Sequence, residues 1–189
     1  MNKNSRKTKI IAVAAKLFKE KGYSAVTMRD IAEALGIKAA SLYNHIQSKQ
    51  EILDTIIIKI AEQFTTGMQS IVESNESTYE KLRHIIELHI DITIENTDAL
   101  AALNNDWMHL EGNLSYFIQM RDAYENKFRS ILKFGIVKGE IVARDPEIML
   151  FSLLSTLRTL YLWYAKKGGI DAKTLRADMP HTLLKGIIK

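Results

Sequence analysis

Apolar residues recur at helical spacing along almost the whole chain. In the first segment Ile10, Ala14 and Leu17 lie three or four positions apart, with lysines between them, and Gly22 stands where such a helix would end. The same spacing, interrupted by polar or glycine positions, predicts further helices over residues 27–35, 39–46, 49–71, 78–95, 98–110, 114–138, 146–167 and 172–187. The chain is therefore predicted to be all-α, with about nine helices.

Several of these helices begin with a recognisable cap. Thr27, Ser48 and Ser77 each precede a carboxylate by three positions, which is the capping-box spacing. The Asp-Pro pair at 145–146 is a typical start for the eighth helix. Pro180 lies inside the last predicted helix and is expected to kink or split it, because proline has no backbone N–H to donate.

Residues 27–46 form a helix-turn-helix pattern. Ile31 and Ala32 lie on one face of the first short helix, and Gly36 permits the tight turn that follows. The small side chain of Ala32 suits two short helices that cross steeply. Any two short capped helices could show this spacing, so the pattern favours a DNA-binding element without excluding an ordinary helical corner.

The second short helix carries the candidate base-reading residues. If Leu42 and Ile46 point inward, helix geometry turns the following residues outward: Ala39, Ala40, Tyr43 and Asn44. In a major groove Asn44 can pair with adenine, and the alanines allow close approach or contact with a thymine methyl group. Ser41 can donate a hydrogen bond to a phosphate or a base edge.

The charge distribution agrees with a polyanion-binding head. Residues 1–54 hold ten lysines and arginines against five acidic residues, a net charge of +5, while the 16 basic and 17 acidic residues that remain give −1. A basic N-terminal quarter on a near-neutral body is the expected electrostatic footprint of nucleic-acid binding, although a solvated charged face would look the same.

The stretch from Ile10 to Leu53 resembles the TetR family of bacterial transcriptional regulators. The matching segments are Ala14-Ala15-Lys16-Leu17-Phe18, Gly22-Tyr23, Thr27-Met28-Arg29-Asp30-Ile31-Ala32, Leu35-Gly36-Ile37, Ser41-Leu42-Tyr43-Asn44-His45-Ile46 and Ser48-Lys49-Gln50-Glu51-Ile52-Leu53. The resemblance implies an all-helical homodimer with a three-helix head at 1–48 and an effector-binding and dimerisation body at 49–189. Helix 49–72 would link the two.

The resemblance also implies roles for individual residues of the head. Thr27, Tyr43, His45 and Lys49 would hold operator phosphates, positions 38–41 and 44 would approach bases, and Arg29 belongs to the same DNA-binding set. The operator would be a near-palindromic double-stranded DNA. The chain departs from the family pattern at Lys38. Many family members have a Ser or Thr N-cap at the start of this helix, whereas this chain has Lys38 followed by two alanines. Lys38 is expected to reach a phosphate or a guanine instead.

The body is rich in aromatic and flexible side chains, which suit a cavity for an apolar or aromatic effector of unknown identity. The candidate lining residues are Phe64, Trp107, Phe117, Met120, Tyr124 and Phe128. For each of them, ordinary core packing is the competing interpretation.

The segment 148–164 is apolar nearly all round, but it holds Arg158 near its middle, so we interpret it as a buried helix and not as a membrane span. An additional apolar face needs a second partner, which a subunit interface would supply. The candidate interface residues are Leu153, Leu157, Leu160, Tyr161, Leu183 and Ile187.

Other function classes find little support in the sequence. The chain has no cysteine, and it has no zinc-protease motif, phosphate-binding glycine loop or nucleophile elbow, so we predict no metal, no cofactor and no enzymatic activity. The N-terminus lacks the pattern of a secretory signal, and a cytoplasmic location is expected. The alternatives to a ligand-responsive repressor are a nucleoid-type DNA binder without an effector and a small helical enzyme or binding protein for an anionic ligand.

Overall fold

The computed structural model describes residues 3–166, 170–185 and 187–188. Within these ranges the chain forms nine α-helices: α1 Lys3–Lys21, α2 Met28–Ala34, α3 Ala39–Tyr43, α4 Lys49–Glu73, α5 Thr78–Glu95, α6 Thr97–Asn105, α7 Leu114–Lys138, α8 Pro146–Lys166 and α9 Ala172–Leu184. The extended pairing in these ranges amounts to an isolated antiparallel bridge between Ile141 and Ile188. The predicted all-α class is confirmed.

The helix boundaries agree best where a cap or a glycine marks them. α5 and α7 have the predicted limits, whereas α3 ends three residues before the predicted Ile46. α6 stops at Asn105 and is followed by two short 3-10 turns, Trp107–His109 and Glu111–Asn113. The predicted end of the eighth helix at residue 167 lies outside the described residues.

Pro180 does not split α9. The helix continues through it to Leu184, three residues short of the predicted end. Leu175, Pro180 and Leu184 are all buried, so tertiary packing holds the helix together across the missing hydrogen bond.

The capping signals form the predicted contacts. At the start of α2 the Asp30 amide donates to the Thr27 hydroxyl oxygen at 3.2 Å, and the Thr27 amide donates to the Asp30 carboxylate at 2.7 Å. At α4 the Glu51 amide donates to Ser48 at 3.0 Å, while the Glu51 carboxylate accepts from the amide of Gln47. These contacts satisfy amides that a helix N-terminus would otherwise leave unpaired.

The chain folds as two compact units that do not follow the predicted division at residue 48. Unit 1 takes in the chain up to Ala61 together with Asn96–Phe117, and unit 2 takes in Glu62–Glu95 and the chain from Ile118 onward. The segment 96–117 therefore packs with the helix-turn-helix and not with the body, to which it was predicted to belong.

In unit 1, α1 packs along α6. Ile10, Ala14 and Phe18 of α1 are at most 1% exposed, and Lys19 forms an ion pair with Asp98 at 2.7 Å. α6 therefore belongs with the helix-turn-helix, because it covers the apolar side of α1. The lysines of α1 lie on the other sides of the helix.

In unit 2, α5 packs against α8 and α9 around a continuous apolar core. Two glycines allow helices to approach closely in this core. A Cβ atom on Gly67 would lie 2.6 Å from the Leu88 side chain, and one on Gly135 would lie 2.5 Å from the methyl carbon of Thr78. Among the helices of the described ranges, none combines the length and the apolar character that a bilayer crossing needs.

Candidate nucleic-acid interface

The turn between α2 and α3 is built around Gly36. Its φ of 66° lies in the left-handed region that favours glycine, and its amide donates to the Glu33 carbonyl at 2.9 Å. The next amide, that of Ile37, donates to Ala32 at 3.0 Å. Two hydrogen bonds therefore fix the angle at which α3 leaves α2, which is the arrangement of a helix-turn-helix.

The inward face of the second helix is as predicted. Leu42 is 0% and Ile46 is 1% exposed, and they share a core with Ile31 and Ala32 of α2. The side chains that this packing turns to solvent are Lys38, Ala40, Ser41, Tyr43 and Asn44, with Ala39 half-buried. Tyr43 is 53% exposed, so its ring and hydroxyl group are accessible to a binding partner.

Asn44 does not lie inside α3. Because the helix ends at Tyr43, Asn44 is its C-cap, and its backbone amide donates to the Leu42 carbonyl. The predicted helix through Ile46 is corrected here: the apolar spacing of Leu42 and Ile46 is also met by a turn after the helix. Asn44 nevertheless stays on the exposed side, next to Tyr43.

The first residue of α3 has no side-chain cap. Lys38 occupies the N-cap position in extended conformation and makes no capping hydrogen bond, as the sequence predicts. The amides at this end of α3 are therefore left without a side-chain acceptor, and the Lys38 ammonium group extends from an exposed residue beside them.

The other residues predicted to contact phosphates differ in exposure and in the hydrogen bonds that they already make within the protein. Arg29 and Thr27 are exposed, but the Thr27 hydroxyl donates to Asp30 at 2.6 Å, and this hydrogen bond lowers the pKa of the Asp30 carboxyl. The Lys49 ammonium donates to the Tyr23 carbonyl at 2.8 Å and lies 4.1 Å from the centre of the Tyr23 ring. His45 is half-buried, and its Nδ1 is enclosed with no hydrogen-bond partner among the described residues.

A polar network that sequence reasoning missed joins α4 to the segment after α6. The Gln50 side chain accepts a hydrogen bond from the Tyr23 hydroxyl at 2.8 Å and donates to both the Asp54 carboxylate and the His109 carbonyl at 2.8 Å. Asn113 donates to the other Asp54 oxygen at 2.9 Å. The partners lie far apart along the chain, so no local pattern marks them.

An aromatic and acidic cluster extends this network. The rings of Tyr23 and His109 lie 5.4 Å apart at 31°, and Phe18 meets the edge of Tyr23 at 5.2 Å. Burial raises the pKa of the Asp106 carboxyl, which accepts a backbone hydrogen bond from Tyr23. The loop after α1, the start of α4 and the 3-10 turns are thus held as one assembly within unit 1.

The structure divides the predicted effector-pocket residues between the two units. Trp107 and Phe117 belong to unit 1, with ring centres 5.9 Å apart, whereas the remaining four belong to unit 2: Phe64, Met120, Tyr124 and Phe128. Met120, Tyr124 and Phe128 are buried and Phe64 is half-buried.

Unit 2 also holds a buried polar pair beside these residues. His89 Nε2 lies 2.9 Å from the Tyr124 hydroxyl, and Phe64 packs on the His89 ring with centres 4.6 Å apart. Burial lowers the pKa of His89 to about 3 and raises that of Tyr124. The imidazole is therefore neutral at physiological pH. His89 was not among the predicted site residues, although the sequence shows a histidine on an otherwise apolar face of α5.

The residues of α8 that were predicted to form the dimer interface are buried within the subunit, and this part of the prediction is corrected. Leu153, Leu157, Leu160 and Tyr161 are 2–3% exposed inside unit 2, so they have no surface left for a partner. Leu183 and Ile187 are half-buried against the same core. The exposed side of α8 instead carries Ile148, Phe151, Leu162 and Trp163, which are 40–72% exposed.

Two family models match the chain. The model described as "Bacterial regulatory proteins, tetR family" matches residues 10–56, and "Tetracyclin repressor-like, C-terminal domain" matches residues 75–187. The first contains α2, α3 and the start of α4, and the second contains α5 to α9.

Relatives of similar sequence include transcriptional regulators. The HTH-type transcriptional repressor KstR2 of Rhodococcus jostii RHA1 is 26% identical over 98% of this chain and 92% of its own length. IcaR of Staphylococcus aureus strain Newman, a negative transcriptional regulator of the biofilm operon icaADBC, is 32% identical over 97% of this chain and 99% of its own length.

The fold of the chain was also compared with solved structures. The structure of the ketosteroid transcriptional regulator KstR2 of Mycobacterium tuberculosis superposes with a TM-score of 0.91 at 24% identity, over 98% of this chain and 96% of that one. The family models, the IcaR likeness and the helix-turn-helix geometry lead to one conclusion. The chain belongs to the TetR family of bacterial transcriptional regulators and is a DNA-binding protein.

Proposed function

We propose that the chain is a homodimeric repressor that binds a near-palindromic operator through α3 and is released by a small apolar or aromatic effector. The observation that carries this proposal is the exposed side of α3, where Tyr43 and Asn44 face solvent over the buried anchors Leu42 and Ile46. The names of KstR2 and IcaR describe those relatives as repressors or negative regulators, which supports repression here. Action on chromosomal DNA places the protein in the cytoplasm.

The exposed residues divide into base contacts and phosphate contacts. Asn44, Ala40 and Ser41 stand where base edges can be reached, and Lys38 supplies a charge beside the open amides of α3. Arg29, Tyr43 and Lys49 are the proposed phosphate contacts, together with Thr27 and His45. Lys49 keeps donors beyond the one it gives to Tyr23, because an ammonium group has three.

Footprinting on the DNA upstream of the protein's own gene tests the DNA-binding role. Protection of a short near-palindrome supports the repressor. Smeared protection without a defined site would instead favour a nucleoid-type binder. Absence of any protection would favour a helical enzyme or binding protein for an anionic ligand.

The exposed face of α8 is the proposed dimer interface. Ile148, Phe151, Leu162 and Trp163 give it large apolar side chains. The hydroxyl groups between them donate to their own helix: Ser152 to Ile148, Thr156 to Ser152 and Thr159 to Ser155, at 2.8–3.2 Å. Because these donors are already satisfied, a second copy can cover the face without burying unpaired hydroxyl protons.

The proposed effector site lies in unit 2 around the buried His89 and Tyr124 pair. An apolar molecule that inserted beside Phe64 and Tyr124 would gain about 25 cal/mol per Å² of buried apolar surface. A hydroxyl or carbonyl group on it could bond to the neutral imidazole or the phenol. The proposed ligand is therefore apolar with one hydrogen-bonding group.

An effector that empties the operator needs a large preference for the released state. Shifting occupancy from nearly full to nearly empty requires about 5.5 kcal/mol, or ~10⁴-fold. By reciprocity, operator DNA must weaken effector binding by the same factor. Calorimetric titration of an effector with and without operator tests this, and an affinity that ignores the operator would contradict ligand release.

A further inference from the structure

Unit 2 contains an open cleft that the proposed function does not use. It has a volume of about 380 Å³ and lies between the end of α4, the start of α5 and the second half of α7. Its lining residues are Val72, Glu76, Thr78, Lys81, Asn126, Lys127, Ser130, Ile131 and Phe134. None of them belongs to the proposed effector site, and the volume falls within the usual range for small-molecule sites.

Two ammonium groups line the cleft without a carboxylate partner among the described residues. Lys81 donates to the Val72 carbonyl at 3.0 Å, and Lys127 donates to the Gln69 side-chain oxygen at 2.5 Å. Both partners are neutral, and each ammonium group has two further donors. The positive charge of the cleft is therefore not neutralised by these contacts.

The carboxylate that lines the cleft is engaged elsewhere. Glu76 interacts with His84 Nε2 at 3.2 Å and accepts from the Ser74 hydroxyl at 3.2 Å. With two lysines against one carboxylate, the lining carries a net charge of +1.

Thr78 is a buried polar residue of the lining. It is 1% exposed, and its backbone amide donates to the Glu140 carboxylate at 2.8 Å. Hydrogen bonds from Thr78 lower the pKa of the Glu140 carboxyl, so Thr78 already has an acidic partner within the subunit. The Thr78 methyl group packs so closely against Gly135 that a Cβ atom on residue 135 would not fit. This close packing fixes the position of Thr78.

Three of the lining residues are apolar. Val72 and Ile131 belong to the edge of the unit 2 core, and Phe134 is 56% exposed. A large aromatic side chain left this open beside two lysines provides contact area for a hydrocarbon group.

We infer that this cleft binds a small amphipathic anion, with its carboxylate or phosphate at Lys81 and Lys127 and its apolar part against Phe134. Ser130 and Asn126, both exposed on α7, add a hydroxyl and an amide at the same edge. The site is separate from both the operator-binding surface and the proposed effector site.

Photolabelling tests the inference with three probes that share one dodecyl chain carrying a terminal diazirine. They end in a carboxylate, a phosphate or a neutral hydroxyl group. We expect at least one anionic probe to label peptides from 72–81 and 126–134 about tenfold more than the alcohol does, since charged hydrogen bonds hold the head group. The stronger anion identifies the head group. Equal labelling by all three probes, or labelling confined to other peptides, would overturn the inference.

Matched variants locate the contacts. Ser130→Trp fills the cleft from an exposed position, and Lys81→Ala with Lys127→Ala removes both charges. Each is expected to lower labelling of these peptides about tenfold, whereas Lys59→Ala with Lys173→Ala, at exposed positions on other helices, leaves it unchanged. Circular dichroism checks folding, and undiminished labelling in both cleft variants would overturn the site. Operator binding, measured separately by gel shift, reports on the proposed function alone.

Discussion

The side-chain amide of Gln50 donates a hydrogen bond to the carbonyl oxygen of His109, 59 residues further along the chain, at 2.8 Å. The same side chain also bonds to Tyr23 and Asp54. A single residue in the first turn of α4 therefore ties together the loop after α1 and the 3-10 turns before α7. Tyr23 and His109 both belong to the unit that carries the helix-turn-helix.

Replacing Gln50 with methionine is expected to lower the free energy of unfolding by about 1–2 kcal/mol. The variant keeps the volume of the side chain but loses three partly buried hydrogen bonds, whose partners can in part rebind water. Urea denaturation measures the change. Gln119→Met, at an exposed position of α7, is the matched control, and an equal effect of the two substitutions would show that the Gln50 contacts do not hold unit 1 together.

Asn44→Ala is expected to cost about 1–3 kcal/mol of binding on the cognate operator and little on random DNA, because a base contact carries sequence information. Lys49→Ala is expected to weaken binding to both DNAs to a similar extent, as loss of a phosphate contact does. Titrations on two sequences at two salt concentrations distinguish these cases. Equal losses on both DNAs for Asn44→Ala would rule out base reading at this residue.

Phe151→Glu is expected to convert the dimer into folded monomers. Phe151 is 72% exposed in the subunit, so the substitution leaves the core intact while placing a charge on the apolar face of α8. Sedimentation velocity measures the mass, and Tyr116→Glu at a 45% exposed aromatic residue of α7 is the control. A dimer that survives Phe151→Glu would exclude this face as the interface.

The buried His89 predicts a pH dependence of stability. Its folded pKa of about 3 lies below the unfolded value of 6.5, so between these values the unfolded chain binds a proton that the native chain does not. Stability therefore falls as pH decreases through this range, by up to about 1.4 kcal/mol per pH unit well below pH 6.5.

Chemical denaturation between pH 5 and 7 measures this slope. His89→Gln cannot titrate and is expected to flatten the slope, and His181→Gln on the exposed side of α9 controls for the substitution itself. If the His89 variant keeps the full slope, its imidazole is not the group responsible.

The sequence predicted those parts of the fold that have local causes. α5 and α7 begin and end where predicted, since Ser77 caps one helix and Gly139, with a φ of 71°, ends the other. The end of α3 was missed, because the apolar positions Leu42 and Ile46 are compatible with both a helix and a turn.

The candidate site was predictable only where its residues are consecutive. The exposed face of α3 follows from the inward direction of Leu42. The Gln50 network does not, because Tyr23, His109 and Asn113 reach it from three separate segments. The exposed side of α8 was also missed: apolar residues on several faces of one helix do not reveal which face the subunit itself covers.

Because segment 96–117 packs with the helix-turn-helix, unit 1 cannot be excised from this chain as one continuous segment. A chimera that grafts residues 1–61 onto the body of a relative would bring Tyr23 and Gln50 without His109 and Asn113. Specificity exchange between family members is therefore expected to succeed when both segments are transplanted together, and to yield a weakened head when only the N-terminal one is.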